Sequence, residues 1–112
     1  MSLCVINLEE GLPFVIEALD TLAVEVVLAK ERNEKCALVI HGYGKRTQGG
    51  GKIRESARRE MLKLKEQGKI KDVVFGENMS RFDERLMRLR YEYPDLAKYL
   101  TGNNLGVSLI LF

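Results

Sequence analysis

The chain has 112 residues, of which 46% are apolar and 30% charged, with a formal net charge of +2. That length suits one packed domain spanning 1–112, and no apolar run approaches the roughly 18 residues of a membrane span, so a soluble chain without a membrane partner is expected. One histidine and two cysteines without ligand spacing exclude a structural zinc site; no particular cofactor is indicated, and dependence on a divalent ion stays open.

Met1-Ser2-Leu3 lacks the basic stretch and cleavage site of a secretion signal, which points to the cytoplasm. Leu3 to Leu8 is a short, partly β-branched apolar run that reads as a strand buried on both faces. Pro13 suits the first turn of a helix in which Ile16, Leu19, Leu22, Ala23, Val26 and Val27 recur at helical spacing, with Arg32-Asn33 as its end. Cys36 to Ile40 is a second buried strand, and strand, helix, strand in succession implies a right-handed parallel crossover. Cys4 and Cys36 lie inside these apolar runs, where thiols act as small buried hydrophobes.

Beyond a glycine-rich stretch, Ile53, Ala57, Met61 and Leu64 predict a second amphipathic helix that Gly68 can end, and Ile70 to Phe75 a third strand. Ser80 to Asp83 has capping-box spacing, with Phe82, Leu86, Leu89 and Tyr93 as the stripe of a third helix; Pro94 restarts a short one. Turn residues Thr101 to Asn104 precede a closing strand, Leu105 to Phe112. The expected fold is α/β: a βαβα-type two-layer sandwich of order βαβαβ, helical insertion (about 80–100), β, with a mixed, mostly parallel four-stranded sheet.

The small net charge hides an asymmetry. Residues 1–40 carry 3 Lys and Arg against 7 Asp and Glu, residues 41–71 carry 10 against 3, and residues 72–112 carry 5 against 6. A basic middle attracts polyanions, because each neutralised phosphate releases condensed counterions. It coincides with His41-Gly42-Tyr43-Gly44-Lys45-Arg46 and Gly49-Gly50-Gly51-Lys52-Ile53-Arg54, placed where a strand ends and a helix begins. Glycines there let backbone N–H groups approach an anion, and the helix start adds its positive end. The spacing fits neither a Walker A loop, since Ile53 follows Gly51-Lys52, nor a dinucleotide fingerprint, since Thr47 replaces its third glycine.

Val39-Ile40-His41-Gly42-Tyr43-Gly44, the basic glycine-rich loop, Ile53-Arg54 and the closing Gly102 to Leu111 together resemble the small MutS-related (Smr) domain family, with its His-Gly-x-Gly motif. Such domains occur alone or at the C-terminus of a bacterial MutS paralogue, share a fold with the C-terminal domain of translation initiation factor three, and bind or nick DNA or cut RNA. The resemblance implies phosphate contacts from Gly42, Gly44, Lys45, Arg46, Gly50, Gly51, Lys52, Arg54 and Arg58. The family's first strand ends in Leu-Asp-x-His-Gly; here Asn7 and Glu9 stand at the aspartate and histidine, so catalysis would fall to His41 with Glu9 and Asn7.

Three readings stay open: a nucleic-acid-binding domain in DNA repair, recombination or RNA processing; an endonuclease using His41; and a protein-interaction or phosphate-ligand domain. DNA or RNA is the expected partner, while oligomeric state and membership of a larger protein are undetermined. Arg81, Arg85, Arg88 and Arg90, interleaved with Phe82, Tyr91, Tyr93 and Tyr99, either stack unpaired bases or form the seam and solvated face of an ordinary helix.

Overall fold

The computed structural model describes residues 2–11, 14–43 and 52–112; Pro13 and residues 44–51 of the glycine-rich loop lie outside them. Four strands, β1 (Val5–Asn7), β2 (Cys36–Ile40), β3 (Asp72–Phe75) and β4 (Val107–Leu111), form one sheet in the order β1-β2-β4-β3. Among the described residues there are three helices, α1 (Val15–Glu31), α2 (Lys52–Glu66) and α3 (Glu84–Glu92), with 3₁₀ segments at Gly76–Asn78, after β3, and Pro94–Tyr99, after α3.

β1 and β2 pair in parallel, as a crossover through α1 requires. β4 then inserts between β2 and β3 and runs against both, so among the described residues one of the three ladders is parallel. The sheet is mixed, as expected: β1, β2 and β3 run one way and β4 runs against them. The reason is the point of entry: a strand that enters the sheet centre at the rim where β2 ends has to run back against it.

Alternation along the central strands divides the core. Ala37, Val39 and Ile110, with Ile6 and Leu8, pack on Ala18, Leu22 and Val26 of α1 and on Ile53, Ala57, Met61 and Leu64 of α2. Cys36, Leu38, Val74, Leu109 and Leu111 face the other way and pack on Leu86, Tyr93, Leu96 and Leu100. Helical segments therefore cover both faces, and the expected two-layer sandwich is corrected to three layers. The central strand β2 is apolar at every position and must be covered twice, and residues 80–100 supply the second cover, whereas β1, expected to be buried on both faces, lies at the sheet edge with Val5 46% exposed.

Two helix details also differ from expectation. Phe82 is 83% exposed and Asp83, not Ser80, caps α3, accepting the Arg85 N–H at 2.9 Å. On α1 the inward stripe is Ala18, Leu22, Val26 and Ala29, leaving Ile16 75% and Val27 55% exposed. α1 is apolar around most of its circumference, so periodicity alone does not select its buried face. The predicted helix ends hold: Asn33 takes φ 59° after α1 and Gly68 φ 73° after α2.

Asp72 ties the layers together, its carboxylate held by Lys65 at 2.9 Å and Arg85 at 2.5 Å. Burial would raise its pKa, but these cations and the Val73 N–H override that and hold it down to about 2. Burial pushes the Cys36 thiol up to about 12, so it packs as a neutral, unreactive group. Among the described residues no helix is long and apolar enough to cross a membrane.

Candidate functional site

The carboxyl ends of β1 and β2 lie side by side, where ligands of α/β sheets bind. Asn7 closes β1, and its Oδ1 accepts the Glu9 N–H at 2.9 Å while the Leu8 N–H continues the ladder to the Ile40 carbonyl at 2.8 Å. That turn brings Glu9 against Gly42, where its carboxylate fills the space a Cβ would occupy. Gly42 also has φ 73°, so the position excludes a side chain on both counts.

His41 is fully buried, at 0% exposure. Its Nδ1 lies 3.1 Å from the Gly42 carbonyl and its Nε2 2.9 Å from Ser108 Oγ on β4. A carbonyl only accepts, so Nδ1 carries the proton and Nε2 accepts from the Ser108 hydroxyl. Burial, reinforced by the positive charges of Arg58 and Arg54 and only partly opposed by the Gly42 hydrogen bond, lowers the His41 pKa to about 4. The imidazole is therefore neutral near pH 7 and both nitrogens are occupied. The backbone repeats this clasp: the His41 and Gly42 N–H groups both donate to the Gly106 carbonyl, at 3.0 and 2.9 Å.

Tyr43 is half-exposed, and its hydroxyl donates to Asn104 Oδ1 at 3.3 Å, which also accepts the Gly106 N–H at 3.0 Å. At the start of α2, Ile53 is buried, Lys52 is exposed and Arg54 is half-buried. Neither cation has a carboxylate within ion-pair distance among the described residues. Arg58, one turn further, is already engaged: it grips Glu77 through two hydrogen bonds of 2.7 and 2.5 Å and lies 4.4 Å over the Phe75 ring. Its guanidinium joins α2 to the end of β3 rather than facing solvent.

The structure thus brings Asn7, Glu9, His41, Gly42, Lys52 and Arg54 toward one rim and ties Arg58, also near His41, to Glu77, while Gly44, Lys45, Arg46, Gly50 and Gly51 lie outside the described residues. Sequence reasoning missed Ser108, Glu77 and the Tyr43–Asn104 pair. Ser108 had a signal, a lone hydroxyl inside the apolar run Val107 to Leu111; Glu77 had none, because only the fold brings it to Arg58. Among the described residues no group of three His, Cys, Asp or Glu side chains gathers to hold a metal ion. Compared with known proteins, the chain matches no family model, no curated protein and no solved structure.

Proposed function

We propose that this chain is a nucleic-acid-binding domain of the small MutS-related type that grips backbone phosphates where β1 and β2 end and α2 begins. One observation carries the reading: Lys52 and Arg54 sit in the first turn of a long helix, at the carboxyl rim of the sheet, without acid partners among the described residues. They belong to the segment 41–71, with 10 basic residues against 3 acidic. Smr-like ancestry is part of the proposal and rests on the sequence motif alone. A cytoplasmic setting, with nucleic acid as partner, follows from it.

Charge reversal tests it directly. Lys52→Glu with Arg54→Glu is expected to weaken binding to duplex DNA and structured RNA alike, and to flatten the log–log salt dependence on duplex DNA by about 0.9 for each phosphate that is no longer neutralised. An unchanged slope removes this rim from the binding surface.

Binding is favoured over cleavage by His41, whose ring is buried, neutral and occupied at both nitrogens. Glu9 separates the two readings. As a carboxylate beside a phosphate site it opposes binding, so Glu9→Gln is expected to tighten it about twofold to fivefold. A nuclease using Glu9 to orient His41 or water would instead lose turnover in that variant, read on a denaturing gel.

A further inference from the structure

The arginines of residues 81–90 separate into two sets. Arg85 is held by Asp72 and Asp83, and Arg88 lies 4.0 Å from Glu84, one turn away on α3. Arg81 and Arg90 have no carboxylate within ion-pair distance among the described residues. Both line one pocket of about 370 Å³, together with Ala97, Leu100, Thr101 and Asn103, and no acidic residue contributes to its wall.

The lining is a set of anion donors. Two guanidiniums each offer paired N–H groups in a fork that matches phosphate oxygens. Thr101 Oγ1 accepts the Asn103 N–H at 3.2 Å, which fixes the oxygen and leaves its own hydrogen to donate. The Asn103 side chain is exposed and adds an amide. Leu100 is buried and adds an apolar side chain to the lining. The pocket is no isolated feature: Asn104, the next residue, is the one that holds Tyr43 and Gly106 at the rim described above.

Charge matching narrows the ligand. An internal phosphodiester has one negative charge and two free oxygens, whereas a terminal phosphate carries about −2 near pH 7 and three acceptor oxygens. Two unpaired arginines in a pocket, rather than along an open track, fit the second. We infer that the pocket between Arg81, Arg90, Thr101 and Asn103 binds the terminal phosphate of a nucleic-acid strand whose body lies on the β1–β2–α2 rim, an inference that rests on the nucleic-acid reading.

The test is fluorescence anisotropy with one short single-stranded sequence, as DNA and as RNA, bearing a 5′-phosphate, a 3′-phosphate or hydroxyl ends. One phosphorylated end is expected to bind about tenfold more tightly than hydroxyl ends. Arg81→Gln with Arg90→Gln is expected to remove that preference and leave hydroxyl-ended binding in place, whereas Arg54→Glu weakens all strands and preserves the ratio. Asn103→Asp, at an exposed position, puts an acid into the pocket with both arginines intact; it is expected to abolish the preference with an unchanged melting curve. Equal binding of all ends, or a preference that survives these variants, overturns the pocket alone. Absence of oligonucleotide binding even at low salt overturns the nucleic-acid reading and the pocket with it. Competition by inorganic phosphate or a mononucleotide at the affinity of the phosphorylated strand overturns its assignment to a strand end.

Discussion

His41 shows how one residue changes meaning between sequence and structure. In sequence it stands in a His-Gly-x-Gly motif and suggests chemistry; in the fold its ring joins β2 to β4 through Ser108 and is removed from water. Its lowered pKa makes a stability prediction with a definite sign. Between about 4 and the ordinary 6.5 the folded state binds fewer protons than the unfolded chain, so acid favours unfolding. The contribution is complete above 6.5 and is lost as pH falls toward 4, to the extent of about 3 kcal/mol. Urea unfolding midpoints measured down this range are expected to fall in the wild type and to stay flatter in His41→Asn. Asp72, Glu77 and Asp83, whose pKa values are lowered by their cationic partners, lose their contributions only below the ordinary carboxylate range and leave the upper part of the window to His41.

At the scale of elements, α2 has two jobs that its sequence does not separate. Ile53, Ala57, Met61 and Leu64 bury one face, and the arginines on the remaining surface look alike in sequence. The fold distinguishes them: Arg54 stays beside the rim, while Arg58 crosses to Glu77 in the 3₁₀ turn after β3, with its side chain only 19% exposed. Glu77→Gln keeps the shape but removes the charge facing a largely covered guanidinium. It is expected to cost about 1–2 kcal/mol, between the values for surface and buried pairs, and to lower the melting temperature. An unchanged melting temperature means that water replaces the carboxylate without loss. The four arginines of residues 81–90 divide in the same manner, two by ion pairs and two by a shared pocket.

At the scale of the whole molecule, residues 80–100 are a structural layer rather than an ornament on a complete domain. Leu86, Tyr93, Leu96 and Leu100 are what cover Cys36, Leu38, Leu109 and Leu111. Replacing 80–100 with a Gly/Ser linker exposes that sheet face, and uncovering Leu38, Leu109 and Leu111 at about 1.5–3 kcal/mol each removes an amount comparable to the whole stability of a domain. Loss of a cooperative thermal transition is the expected result, by circular dichroism with dye binding as a second readout. A variant that still melts cooperatively would show that α1, α2 and the sheet suffice.

The order of the elements and two of the helix ends were legible in the sequence. Runs such as Cys36 to Ile40, the α2 stripe, and the left-handed stops at Asn33 and Gly68 are short-range patterns, set by backbone sterics and side-chain period. So was the basic character of residues 41–71, which is a matter of counting. What depends on partners distant in the chain came only with the fold. The place of β4 between β2 and β3, the second covered face, the inward side of α1, the His41–Ser108 and Arg58–Glu77 pairs and the meeting of Arg81 with Arg90 all join residues that local periodicity treats as unrelated. Each is fixed by which buried surfaces and charges find one another when the chain closes, and that energy is not written in any one segment.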